Sequence, residues 1–372
     1  MEFKISKEEF LKGLGRVQSI IERKTALPIL SNVLVDASEN GIEIVATDLE
    51  VGIKGRYKAQ IKSEGTITVA AKKLHEVIRE LPEEDLKFET TGNDWVKITS
   101  GRATFKMVGL SADDYPMLPN FETEEFVSLP ASLIGEMLEM VQYAIAVDDN
   151  RYSLTGVYVT IKEANTGRNI RMVGTDGHRL AYIERPLADE IAIEIPSNVI
   201  LPRKGINEMR KLLAEAEGDI QLCFKDHNMV MKKDNLLYII RLIDGEFPDY
   251  EQVVPRENDK HLTVNREMFA AALKRCSLFS LESSRGVKLE ISRKTLEITS
   301  SDPNLGEARE ELPVIYEGDP LTIGFNAKFF LDVLTVAKDE DVHIELSQPL
   351  APGLIKLPSE SGFLAVVMPM RI

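Results

Sequence analysis

The sequence predicts an α+β protein of three homologous domains, each with two amphipathic helices laid against antiparallel sheets. Three observations predict it. A pattern of blocks recurs three times along the chain, apolar residues alternate at strand period within the blocks, and helical stripes fall at the same two places in each copy. The chain of 372 residues, 44% hydrophobic and 28% charged, exceeds what one core usually organises and has apolar material for several.

The first recurring block is a short strand, a polar break and a helix. It reads "FKISKEEFLKGLGRVQSII" from Phe3, "FVSLPASLIGEMLEMVQYAI" from Phe126 and "LTVNREMFAAALKRCSLF" from Leu262. In the first copy Ser6 and Glu9 form a capping box, and Phe10, Leu14, Val17 and Ile21 follow at helical spacing. In the second the stripe is Leu133, Met137, Met140 and Ala144. The next block is a strand, a turn and a second strand that ends near an aspartate: Asp48, Asp176 and Asp302. A third block, "ITVAAKKLHEVIRELP", "NVILPRKGINEMRKLL" and "LTIGFNAKFFLDVLTVA", is again strand then helix. The fourth, "VKITSGRATFKMVGL", "NMVMKKDNLLYIIRL" and "LIKLPSESGFLAVVMPM", is all strand. Pro- and acid-rich joints at 122–125 and 255–259 suit linkers, so the domains are 1–125, 126–257 and 258–372.

A net charge of −15 and a pI near 5.0 oppose a nucleic-acid binder unless basic residues gather on one face. Basic residues do recur on the helices: Lys12, Arg16 and Arg23 with Ser19, then Lys72, Lys73 and Arg79, then Arg203, Lys204, Arg210 and Lys211, then Arg266, Lys274, Arg275 and Lys328. A solvated helix face carries such residues too, and the first helix of the second domain has Glu136 and Glu139 instead.

Signs of chemistry are few. The sequence holds no phosphate-binding glycine loop and no C-x-x-C pair, and His75, His178, His227, His261 and His343 lack ligand spacing, so neither metal nor cofactor is expected. Cys223 and Cys276 lie far apart in apolar surroundings and suit reduced core residues. Charges at Lys4, Lys7, Glu8 and Glu9 interrupt any signal peptide, and no run approaches the ~20 apolar residues of a membrane span, so a cytoplasmic location is expected. "VGTDGHRLAY" places Asp176 beside His178, which a hydrolase or nuclease could use. Yet the aspartate recurs in each repeat without the histidine. It is more simply a turn carboxylate that accepts backbone N–H groups, and no catalysis is expected. The other peculiarity is "VVMPMRI", apolar at Met368, Pro369, Met370 and Ile372 where chain ends are usually polar, which suits the lip of a pocket.

The three-fold repeat with "TDGHRLA", "PRKG", "DGEFPDY" and "VVMPMR", in order over the whole chain, resembles the bacterial DNA sliding clamps, the beta subunits of DNA polymerase III. The resemblance implies the DNA clamp fold and a head-to-tail homodimer that closes six domains into a ring around double-stranded DNA. It implies no catalysis and no cofactor: the ring tethers the replicative polymerase. DNA-facing positions carried over are Lys24, Lys72, Lys73, Arg79, Arg151, Tyr152, Arg203 and Lys204. Ser153 and Gln252 stand where the best-known members have a second tyrosine and a basic residue. Ring-closing contacts fall on Phe105 and Met107 against Leu278 and Phe279. A peptide-binding pocket matches Leu154, Thr175, Gly177, His178, Arg179, Leu180, Pro248, Val253, Val366, Met368, Pro369, Met370 and Arg371. The resemblance implies that this pocket receives a short linear motif shared by polymerases, clamp-loader subunits and repair proteins, with His178 and Arg179 as polar and stacking edges.

Overall fold

Six helices form among the described residues, two per repeat: α1 (Lys7–Val17), α2 (Ala71–Glu80), α3 (Ala131–Val141), α4 (Arg203–Glu215), α5 (Arg266–Cys276) and α6 (Ala327–Val336). The computed structural model describes the whole chain except residues 22–26, 83, 122, 165–166, 281–284 and 372, and the side chain of Ala164. Each helix follows a short strand, and its fourth residue is its anchor. Phe10, Leu74, Ile134, Ile206, Phe269 and Phe330 occupy that position and are at most 1% exposed. One position fixes how every helix seats on its sheet, because residues three and four apart share a helix face.

Three of the helix starts are capped by side chains as their sequences dictate. Ser6 Oγ accepts the N–H of Glu9 at 3.3 Å, and Asn265 and Asn326 cap α5 and α6 through Met268 and Lys328. Two details differ from the sequence reading. α1 stops at Val17, and Ile20, not Ile21, is the next fully buried residue. Around α3 the expected Met137, Met140 and Ala144 are buried, but Leu133 is only half-buried and Ile134, Leu138 and Val141 join them in the core.

The chain divides into two compact units. One holds Met1–Ser132 and Lys204–Leu242, the other Leu133–Arg203 and Ile243–Ile372. The first unit carries a thirteen-stranded sheet. Its order is Val127–Pro130, Asp219–Lys225, Asn228–Lys233, Leu236–Arg241, Val51–Tyr57, Gly41–Thr47, Asn32–Ser38, Gly65–Ala70, Ala103–Leu110, Trp95–Ser100, Asp85–Thr91, Glu2–Ser6 and Gln60–Ser63. Ala103–Leu110 pairs along its length with Trp95–Ser100 but meets Gly65–Ala70 only through Leu110 and Gly109, so 103–108 is an edge. Phe3, Phe10 and Phe88 fill the core under α1, with Phe3 stacked on Phe88 at 4.9 Å.

The second unit has an eight-stranded sheet in the order Val199–Pro202, Gly156–Ala164, Gly167–Thr175, Arg179–Pro186, Phe363–Val367, Gly353–Lys356, Asp341–Leu346 and Lys260–Asn265. A four-stranded sheet runs Gly306–Pro313, Thr295–Asp302, Gly286–Ser292, Leu321–Asn326. Phe269, Phe325 and Phe330 pack edge to face in its core. Cys223 and Cys276 are buried and unpaired, as their surroundings predicted.

Candidate functional site

The strands Gly167–Thr175 and Arg179–Pro186 are joined through Asp176, Gly177 and His178. Asp176 Oδ1 accepts the backbone N–H groups of His178 and Arg179 at 2.9 and 3.0 Å. Asp48 Oδ1 does the same for Glu50 and Val51 at 2.9 and 2.7 Å, and Asp302 Oδ1 for Asn304 and Leu305 at 2.7 and 3.2 Å. The three aspartates are one turn device used three times. Asp176 is held as a structural acceptor, which removes the partner that a hydrolase would need beside His178. Thr175 Oγ1 closes the turn by donating to Arg179 O at 2.6 Å. Gly177 has φ +86°, and a Cβ there would come within 3.1 Å of the Arg151 guanidinium.

Beyond this turn the chain meets its own C-terminal segment. Arg179 pairs with Val367 and Leu180 with Val366 across an antiparallel ladder. The ladder continues past the strand: Met368 N donates to His178 O at 2.9 Å, and Met370 N to Gly324 O at 2.9 Å. The two stretches singled out in the sequence therefore lie side by side. Beneath them Val173, Leu180, Tyr250, Leu354, Leu364 and Val366 form one apolar cluster, extended by Tyr158 stacked on Phe247 at 4.9 Å.

Gly177, His178, Pro248, Val253, Met368 and Arg371 are exposed, and Pro369 and Met370 half-buried; His178 and Met368 are joined by the backbone bond above, and Pro248 and Val253 adjoin in sequence the cluster residues Phe247 and Val254. Leu154, Thr175, Leu180 and Val366 are buried, Leu180 and Val366 as members of the apolar cluster.

Arg179 departs from its expected role as an edge. Its guanidinium turns inward, donating to Asp176 Oδ2 at 3.0 Å, Asp332 Oδ2 at 2.5 Å and Tyr143 O at 2.5 Å. It lies over the rings of Tyr143 and Phe329. Arg179 thus pins the turn to α6, and the stacking is internal. Sequence reasoning missed Asp332, Tyr143 and Phe329; the only hint was the i, i+4 spacing of Lys328 and Asp332, which pair at 2.9 Å. It also missed Arg171, which donates to Glu184, to Tyr250 Oη at 2.7 Å and to Glu251 at 2.8 Å.

Of the basic positions, Lys72, Lys73 and Arg79 are exposed on α2, Arg151 and Tyr152 on the segment before Gly156, and Arg203 at the start of α4. Lys204 departs from the expectation of a DNA-facing side chain. Its ammonium pairs with the Asp48 carboxylate, whose side chain is only 5% exposed. Lys24 lies outside the described residues. Arg16 pairs with Glu215, Arg275 with Glu310 and Lys328 with Asp332, so part of the expected basic charge is neutralised locally. Gln252 donates to Asp249 at 2.8 Å.

Arg151 grips Asp149 through its backbone N–H, Nε and Nη2 at 2.8, 3.0 and 2.8 Å. These bonds, the side-chain ones foremost, lower the Asp149 pKa to about 2 from 3.8. The pair therefore persists in full above pH 3.8 and is lost as the pH falls through about 2. Carboxyl-carbon NMR should show Asp149 titrating near 2 in the intact chain and shifted upward, toward 3.8, in Arg151→Ala, where only the backbone N–H bond remains. An unshifted midpoint in the variant would refute the pairing.

Phe105 is exposed on the edge strand Ala103–Leu110 and Met107 is half-buried there. Leu278 is exposed just after α5 and Phe279 is half-buried.

Sequence models of the DNA polymerase III beta subunit match the chain in three consecutive blocks: the N-terminal domain over residues 1–119, the central domain over 128–249 and the C-terminal domain over 251–371. The chain belongs to the DNA polymerase III beta subunit family. The beta sliding clamp of Caulobacter vibrioides is 35% identical over the full length of both chains, and that of Vibrio cholerae 33%. A crystal structure of the Caulobacter crescentus beta sliding clamp superposes with a TM-score of 0.95 at 35% identity, covering 100% of this chain and 99% of that one. The sliding clamp of Bartonella birtlesii, solved bound to griselimycin, superposes at 0.94 with 33% identity and complete coverage of both chains. This family is a non-catalytic processivity factor for DNA synthesis, so the hydrolase reading of Asp176 and His178 falls.

Proposed function

We propose that two copies of this chain close head to tail into a ring of six clamp domains, divided at 1–125, 126–257 and 258–372, that encircles duplex DNA in the cytoplasm. The ring slides and keeps the polymerase on its template. Family membership over the whole chain is the observation that carries this reading. Topological retention asks for weak, sequence-independent contacts, which exposed lysines and arginines provide while an acidic exterior repels DNA elsewhere. Lys72, Lys73, Arg79, Arg151, Tyr152 and Arg203 are the side chains assigned to DNA.

The ring-closing contact joins the open edge at Phe105 and Met107 to the Leu278 and Phe279 region of a second copy. Lys106 on the first edge suits Glu307 and Glu311 on Gly306–Pro313, the edge strand near the second. The strip at Gly177, His178, Pro248, Val253 and Met368–Arg371 takes a short apolar motif from the polymerase, the clamp loader and repair proteins. Its firm apolar floor and few polar groups are what a peptide pocket needs.

The deciding experiment is retention. Loaded protein should stay on a nicked circular duplex and slip off once the circle is cut. Equal retention on both forms would exclude a ring. Reversal of Lys72, Lys73 and Arg203 together to Glu should reduce loading roughly tenfold or more at moderate salt while leaving the melting temperature unchanged. Lys204 is kept in that variant, because a carboxylate there would face the buried Asp48. Loading at the wild-type level across a salt series would clear these residues of DNA contact.

A further inference from the structure

The turn and ladder that build the C-terminal strip are repeated earlier in the chain, and the repeat also carries a groove. In the first unit Val45 pairs with Lys54 as Val173 pairs with Tyr182 in the second, and Glu43 pairs with Arg56 as Arg171 pairs with Glu184. The strand Leu236–Arg241 adds to Val51–Tyr57 as Phe363–Val367 adds to Arg179–Pro186, so Ile239 stands opposite Gly52 where Val366 stands opposite Leu180. The connector Tyr115-Pro116-Met117-Leu118 matches Phe247-Pro248-Asp249-Tyr250.

Between this connector and the sheet is a cavity of about 480 Å³, floored by Leu34, Val45, Leu237 and Ile239. That volume is within the range of small-ligand and peptide-anchor sites. Leu118 packs directly over Gly52, so the ground that Leu180 holds in the second unit is covered here by the connector itself.

The charges of the two copies differ: here Asp36, Glu43 and Asp234 line the cavity together with Lys54, Arg56 and Lys232. The ion pair is reversed, with Glu43 taking Lys54 and Arg56 at 2.7 and 2.5 Å where Arg171 holds Glu184. Thr160 is replaced by Asp36, which lines the cavity, is half-buried and has no hydrogen-bonding or ion-pair partner among the described residues. Burial first, then the neighbouring Glu43, pushes the Asp36 pKa up, against Lys54, whose ammonium is engaged by Glu43 and pulls it down only in part. A cation placed there would relieve both effects.

We propose that this groove is a second docking site, for a short extended peptide that sets an apolar side chain on Leu34, Val45, Leu237 and Ile239 and a lysine or arginine against Asp36. The proposal rests on the peptide-docking reading of the C-terminal strip, whose counterpart the groove is, and the groove differs from it in carrying Asp36 where Thr160 stands.

The test uses the full chain and a chain lacking residues 368–372, each observed by methyl NMR. The probes are two blocked tetrapeptides, Leu-Lys-Leu-Phe and Leu-Glu-Leu-Phe. In the truncated chain the lysine peptide should shift the methyls of Val45, Leu237 and Ile239 saturably, and the glutamate peptide should bind there roughly tenfold more weakly. Asp36→Asn should erase that preference, with the unbound methyl spectrum unchanged as the control for folding. Absence of saturable shifts at Val45 and Ile239, or equal affinity of both peptides there, would overturn the proposal. Failure of the strip reading has a different signature: shifts at Leu180 and Val366 that are missing from the full chain, or that survive the truncation undiminished.

Discussion

Deletion of Met368 to Ile372 is expected to abolish binding of a short Leu/Phe-containing peptide at the C-terminal strip and to leave the association state of the protein intact. The deleted residues follow the last strand, Phe363–Val367, which is buried and keeps its ladder with Arg179–Pro186. What goes is the exposed rim: Met368, bonded to His178 O, and Pro369 and Met370 beside it. Each apolar anchor that a peptide fully buries contributes about 1.5–3 kcal/mol, and a micromolar complex has about 8 kcal/mol in total, so losing two anchors moves binding out of the measurable range. Titration calorimetry with one peptide on both proteins decides it, and equal affinity would remove the C-terminus from the site. His178→Ala should weaken the same peptide without eliminating it, since Gly177 and the floor remain.

Replacement of Leu278 by Asp should convert the protein from dimer to monomer at micromolar concentration. Leu278 is 71% exposed in the single chain, so the substitution costs the protomer little. Once a partner covers it, the carboxylate has no hydrogen-bonding compensation. A penalty of about 3 kcal/mol or more weakens association at least roughly a hundredfold. Phe105→Asp should act the same way from the other edge. Sedimentation velocity measures it. A wild-type protein that stays monomeric at tens of micromolar, or a Leu278→Asp protein that still dimerises, would refute the assigned contact.

Much of this was legible in the sequence because the physics behind it is local. Alternation marks strands, a capping serine or asparagine marks a helix start, and an aspartate two or three residues before the N–H groups that it accepts marks a turn. Asp48, Asp176 and Asp302 needed nothing more to be assigned. The adjacency of "GHRL" and "VVMPMR", implied by the family resemblance, takes the form of a strand ladder.

What stayed hidden depends on partners far along the chain. The direction of Arg179 is set by Asp332, Tyr143 and Phe329. Lys204 reads as one more basic residue until Asp48 is found against it. The stripe of α3 could not be chosen by periodicity, because Leu133, Ile134, Met137, Leu138, Met140 and Val141 leave almost every direction apolar. Packing buries Ile134, Met137, Leu138, Met140 and Val141 and leaves Leu133 half-buried.

The open side of Ala103–Leu110 has a consequence for how the protein behaves outside its assembly. From Ala103 to Val108 the strand has a neighbour on one side only, and Phe105 and Val108 are exposed along it. Such an edge is a template on which any other extended chain can polymerise, and a second copy of itself is the nearest candidate. Lys106, midway along, guards against that mistake: two such edges laid antiparallel about their middle bring ammonium against ammonium. Gly306–Pro313 has its own guards in Glu307 and Glu311. Each edge repels its own kind, so a protomer without its partner is protected from amyloid-like stacking by the same few charges that favour the correct match.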